Sequence, residues 1–121
     1  QLLVGHATVE GQPIFDPEKF LRWRDRLGKG YVPHVVGIWP LVSLRNAEFM
    51  ANEVPGVSVP DRVVAEMEKA GDRPDEAVKR GLEIAVGVME KLKGGCEGFC
   101  VSAPASRVEV ALEALRGFLS E

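Results

Sequence analysis

The sequence predicts an α/β fold of about three βα units, and three observations carry that prediction. Runs rich in apolar and β-branched residues alternate with amphipathic segments in the order strand, helix, strand, several helices, strand, helix. Such alternation implies parallel pairing with right-handed crossovers. The run His34-Val35-Val36-Gly37-Ile38 is short and almost continuously apolar, as strands of a parallel sheet tend to be. Finally, residues 36–50 pass from strand to a Pro/Ser turn to a helix without a break. In a parallel α/β protein that switch lies at the carboxyl end of a strand, where ligand sites form.

Residues 2–9 are apolar enough for a first strand. Asp16-Pro17-Glu18 is a strong helix start: Asp16 caps free amides, Pro17 suits the first helical position, and Glu18 favours the positive end. That helix is expected to reach about Leu27, with Phe20, Trp23 or the Arg24 stem, and Leu27 along one side, until Gly28-Lys29-Gly30 stops it. The second strand is 34–38. Ser43 should cap a helix over 44–52, and Val54-Pro55-Gly56 is a turn. Pro60-Asp61 opens a short helix ending near Gly71.

The longest helix is expected over 74–93. Val78, Leu82, Ala85, Met89 and Leu92 recur at the helical period, and Gly94-Gly95 ends it. Residues 97–102 read as the third strand. Ser106 starts a terminal helix, with Val108, Ala111, Leu112, Leu115 and Phe118 or Leu119 turned inward.

With 121 residues the chain reads as a single domain, 1–121, large enough for a respectable core. It is 45% apolar, with a net charge of −3 and both signs interspersed, which gives no reason to expect a nucleic-acid or anionic-membrane partner. No apolar stretch reaches the length of a membrane span. The opening residues lack the cationic start and small-residue cleavage pattern of a signal peptide, and the absence of an initial Met points to processing or a fragment. Two cysteines are too few for a disulfide scaffold and suit a reducing compartment, with cytoplasm the default.

The strand carboxyl ends present three junctions. The first carries Gln12, whose carboxamide suits the edge of a flat heterocycle and equally suits an ordinary loop. The second carries Trp39, Ser43 and Leu44, the last an apolar contact surface or plain core. The third carries Arg107, whose guanidinium fork matches a carboxylate, or pairs with Glu109 on the surface. Other groups read as structure. Cys96 and Cys100, four apart, would face one side of a strand as buried thiols. With His6 and His34 they match no zinc module, so no metal site is expected. His34 reads as core edge, and Asp61, Glu66, Glu68 and Asp72 as a solvated helix face rather than paired acid/base carboxylates. Met67, Met89 and Trp23 read as packing.

Beyond these features, Gly11-Gln12-Pro13-Ile14-Phe15-Asp16-Pro17, the 36–50 run and Asn52-Glu53-Val54-Pro55-Gly56 together resemble methylenetetrahydrofolate reductase, from about Gly11 to the end of the chain. That family is a flavin-dependent (β/α)8 barrel of one-carbon metabolism. A complete barrel takes roughly 200 residues at minimum. The resemblance therefore implies a partial (β/α)8 TIM barrel, the C-terminal sector alone. It implies FAD as cofactor, NADH or NADPH as donor, and reduction of methylenetetrahydrofolate to methyltetrahydrofolate.

By the resemblance, Gln12 orients the pterin, Leu44 packs against the substrate or nicotinamide, and Arg107 binds the folate glutamate tail. The departures are Gly11 for the usual Thr, Val36 for Pro, Trp39 for Met or Leu, and residues 4–10, which leave the family pattern. The catalytic glutamate and most flavin contacts of the family lie upstream, so no catalytic residue is expected here. A short parallel sheet also leaves an edge that invites association. The expected partner is a missing N-terminal half or further copies in a homo-oligomer. The alternative is a non-catalytic half-barrel that binds folate or a partner subunit, and beyond it a generic α/β domain without a ligand.

Overall fold

The computed structural model describes residues 2–3, 8–27, 34–96, 98–102 and 108–119. Along the chain run β1 (Leu2–Leu3), β2 (Thr8–Pro13), α1 (Pro17–Leu27), β3 (His34–Ile38), α2 (Leu44–Asn52), α3 (Asp61–Glu68), α4 (Pro74–Leu92), β4 (Gly98–Val101) and α5 (Val108–Leu119). The strands form one sheet in chain order. β2, β3 and β4 are parallel, as the alternation predicts, and β1 is antiparallel to β2.

The opening differs from the expected single strand over 2–9. Leu2 pairs with Val9 and Leu3 with Thr8, so this stretch folds back on itself and the parallel series begins at Thr8. β2 then runs through Gly11, Gln12 and Pro13, which the sequence places in a loop. The pairing explains how. Glu10 lies beside Val35 and Pro13 beside Gly37, so three steps on β2 oppose two on β3. One extra residue is accommodated there as a bulge, the setting in which strands tolerate Gly and Pro. Past Pro13 the Ile14 amide donates to the Gly37 carbonyl at 3.0 Å and keeps the strands together.

Pleating divides the sheet into two unlike faces. Val36 and Ile38, 3% and 2% exposed, point into a cluster with Phe20 of α1, Val88, Met89 and Leu92 of α4, and Ala114 of α5. On the other face Val35, Gly37 and Gly98 are half-buried and Cys100 is exposed. The apolar run predicts a buried strand over 34–38; among the described residues α1, α4 and α5 pack on its Val36–Ile38 face, and Val35 and Gly37 stay half-buried. A second cluster, with Phe15, Leu41, Ala47, Met50, Val63 and Met67, gathers α2, α3 and the start of α4.

Helix boundaries follow their local chemistry. Asp16 Oδ1 accepts from the Lys19 amide at 3.1 Å, and Ser43 Oγ from the Asn46 amide at 3.0 Å, so both expected caps form. α3 ends at Glu68, where Gly71 adopts φ +58° and the Arg73 guanidinium donates to the carbonyls of Lys69 and Ala70. α4 ends at Leu92 before Gly94, whose φ is +82°.

Two apolar stripes are rotated from their expected positions. On α4, Ala77, Gly81, Ala85, Val88, Met89 and Leu92 are buried, whereas Val78 and Leu82 are only half-buried. On α5 the buried residues are Val110, Ala111 and Ala114, while Val108, Leu112 and Leu119 are exposed. The cause is close approach. A Cβ at Gly117 would stand 3.1 Å from Val86 Cγ2, so α5 meets α4 through small residues and turns Val108, Leu112 and Leu119 outward, while Phe118 packs inward against Phe99 as expected. Among the described residues no helix is long and apolar enough to cross a membrane.

Candidate functional site

The carboxyl ends of β2, β3 and β4 lie side by side and are stitched together just beyond the ladder. Ile14 N–H donates to Gly37 O on one side, and Ser102 N–H to Ile38 O at 2.9 Å on the other. The β3–α2 connection starts at Trp39 in the middle of this row. Pro40 and Leu41 are fully buried, which anchors the loop. Its far end is fixed by reciprocal side-chain bonds. Ser43 Oγ accepts from the Asn46 amide, while Asn46 Oδ1 accepts from the Val42 amide at 3.3 Å. This satisfies orphan donors at the start of α2 in the manner of a capping box.

From the opposite side, α4 holds the loop. A Cβ at Gly81 would overlap the Leu41 carbonyl oxygen, so the helix backbone lies directly against the loop backbone. Only glycine permits that distance.

The sequence-predicted residues fare unequally. Gln12 is placed by its backbone in the β2 bulge, at the same end of the sheet as the Trp39–Ser43 loop; its side chain lies outside the described residues. Leu44 is the first residue of α2 and half-buried against the Phe15–Leu41 cluster. Its packing thus follows the core alternative while leaving part of its surface open. Arg107 lies outside the described residues, as do His6 and the expected helix start Ser106.

Two expectations are corrected. Cys96 and Cys100 do not share a strand face: Cys96 precedes β4, its Sγ 3.5 Å from the Gly98 carbonyl, and Cys100 is exposed within β4. Trp23 is 45% exposed although its ring stands 5.8 Å from Phe20, so it is less a core residue than its spacing predicts. Of the presumed solvated carboxylates, Asp61, Glu68 and Asp72 are exposed, while Glu66 is half-buried and pairs with Lys69 and Arg80.

Two features go beyond what the sequence predicts. The first is the Trp39 indole, packed on the Phe15–Leu41 cluster, whose Nε1 is buried and has no acceptor among the described residues. The sequence places Trp39 at the strand end but not its buried indole donor. The second is Glu18 of α1, which binds Arg62 of α3 at 3.2 Å and Lys91 of α4 at 2.8 Å. The hydrogen bond from Lys91, aided by the charges of Lys91 and Arg62, holds its carboxyl below the ordinary glutamate value despite some desolvation. Nothing in the sequence spacing, 44 and 73 residues apart, announces that junction.

Among the described residues no group of three or more His, Cys, Asp or Glu is arranged to hold a metal ion. A search of the curated proteins finds no match for this chain. The family model described as methylenetetrahydrofolate reductase matches residues 4–102. The match therefore takes in residues 4–10, which depart from the motif pattern, and stops before Arg107. It spans β2, β3, β4 and the helices between them, and an α/β chain with a small parallel sheet is what a piece of such a domain would give. On that match, the chain belongs to the methylenetetrahydrofolate reductase family.

Proposed function

We propose that this chain supplies the folate-binding side of a flavin-dependent methylenetetrahydrofolate reductase, as the C-terminal sector of a (β/α)8 barrel. The observation that carries the reading, beside family membership, is the β2 bulge at Gly11 and Gln12. Bulges re-aim side chains and recur beside active sites. This one falls at the strand end and on the residue the family resemblance assigns to the pterin. A carboxamide there would donate and accept along one edge of the ring. Leu44 would give apolar contact area to the aminobenzoyl group or the nicotinamide of NADH or NADPH, and Arg107 would pair with the glutamate tail.

FAD does not fit the described residues of this chain alone. Around the β3 strand end Pro40 and Leu41 are buried, and the Ser43 hydroxyl and Asn46 carboxamide are committed to capping. An isoalloxazine presents a ring N–H that needs an acceptor, and both of these side-chain oxygens already accept from the backbone. No step through flavin is therefore assigned to these residues. In this reading the flavin and catalytic acid belong to an N-terminal half or to another copy in a homo-oligomer. The edge of β4, paired only with β3 among the described residues, would meet it. The two thiols, neither in a disulfide, accord with a cytoplasmic setting.

A second reading, a non-catalytic half-barrel that binds folate or a partner subunit, is favoured by those same committed capping groups. One experiment separates the two. The chain is titrated calorimetrically with methyltetrahydrofolate, alone and with an N-terminal half-barrel of the family. Binding that weakens about ten-fold in Gln12→Ala, the value of one good hydrogen bond, together with reductase activity in the mixture, supports the enzyme reading. Binding without activity supports the second. No folate binding in either sample, with no association between the two halves, rejects both.

A further inference from the structure

We propose that the cleft between α1, α3 and α4 is a binding site for a small amphipathic monoanion, its apolar body in the cleft and its charged head at Arg62 and Lys91. The cleft has a volume of about 490 Å³, within the range of sites for drug-sized ligands. It makes no use of Gln12 or Leu44, so the proposal is independent of the folate reading.

Gly87 is the observation that sets this cleft apart. It lies inside α4, where glycine is the least favourable residue short of proline. Gly81 on the same helix is explained by the Leu41 carbonyl against it. At Gly87 a Cβ would meet nothing within 4 Å, and no positive φ calls for glycine. What Gly87 does is line the cleft, beside Ile84 and Val88, and leave its volume open. Phe15 and Val63 complete an apolar wall.

The rim selects the charge. Arg62, Lys69 and Lys91 border the cleft, and Glu66 is the acidic residue among its lining. Glu18 serves both Arg62 and Lys91, Glu66 serves both Lys69 and Arg80, and Glu76 binds Arg80. Among the described residues this network sets three carboxylates against four cations, leaving one positive charge on a chain whose net charge is −3. A single anionic head on an apolar body completes that balance; a cation or a second negative charge would not.

Decanoate is the probe, titrated into the full chain below its micelle concentration and followed by calorimetry and by displacement of anilinonaphthalene sulfonate. The expected result is one site per chain. Gly87→Leu, which fills the cleft, should weaken binding about ten-fold or more, while Gly87→Ala should bind nearly as the native chain does. Lys91→Met should weaken decanoate several-fold by removing a head-group partner, and decyltrimethylammonium should not compete. Should Gly87→Leu fail to fold, Lys91→Met and the cationic competitor decide the matter. Absence of saturable binding, unchanged affinity in Lys91→Met, or equal competition by the cation would overturn the proposal.

Discussion

The backbone of α4 at Gly81 rests against the carbonyl of Leu41, with no space for even a methyl group between them. This contact joins the longest helix to the loop that follows β3, and so positions Trp39, Ser43 and Leu44 at the strand end. Both partners are backbone, so neither can swing away as a side chain would. Gly81→Ala should therefore force helix and loop apart and destabilise the chain by about 2 kcal/mol or more. Urea denaturation measures it. An unchanged midpoint would mean that the loop is not seated on α4.

Gly87, six residues further on, gives the opposite expectation. Its surroundings are open, so alanine brings helix propensity and a less flexible unfolded chain without a clash. Gly87→Ala should stabilise by about 0.5–1 kcal/mol. Paired with Gly81→Ala in the same denaturation series, it tests whether two glycines of one helix are kept for different reasons. Destabilisation at 87 would place a hidden neighbour there.

Much of this architecture is legible in the sequence where a local signal dominates. Pro17, Ser43 and Pro74 mark helix starts, Gly71 and Gly94 lie just beyond helix ends, and 34–38 is a strand with its expected bounds. The misplaced features are those set by tertiary contact. The faces of α4 and α5 were read by weighing large apolar residues, whereas Gly81, Ala111, Ala114 and Gly117 decide how close the neighbours come. Gly11 and Pro13 looked like loop residues because a bulge uses the same residues as a turn. Of the site, strand-end position picks out Gln12 and Leu44 and the family motifs suggest their roles, but neither gives their packing. The Trp39 donor and the Glu18 junction arise from residues distant in sequence, and no spacing rule reaches them.

Glu18 makes stability depend on pH on the acid side. Its carboxyl is held below the ordinary value by Lys91, so the folded chain takes up this proton less readily than the unfolded chain does. The stabilisation is complete above the unfolded glutamate value of about 4.3. It is lost as pH falls through the lower folded value. Because the pair is exposed and screened, its size should not exceed about 1 kcal/mol at neutral pH. Melting curves of native chain and Glu18→Gln should differ slightly at pH 7 and converge as pH falls from the unfolded glutamate value through the lower folded one. A gap that widens on acidification would reverse the assignment, and added salt should shrink the gap at pH 7.

Trp39 offers the most discriminating substitution at the strand end. Its indole lies on the Phe15–Leu41 cluster, and the Nε1 proton is buried without an acceptor among the described residues. An unmet buried donor costs about 1–3 kcal/mol. Trp39→Phe removes that donor and keeps an aromatic ring, so relief of the unmet donor offsets the lost contact area. The expected change in unfolding free energy is within about 1 kcal/mol, against roughly 3–5 kcal/mol for Trp39→Ala, which empties the position. Folate titration of the same variants adds a second readout. If the indole proton donates to a bound ligand, Trp39→Phe weakens methyltetrahydrofolate binding while stability holds. If affinity and stability both hold, the indole is only a wedge under the loop. A large stability loss in Trp39→Phe would mean that its proton does have a partner in the folded chain.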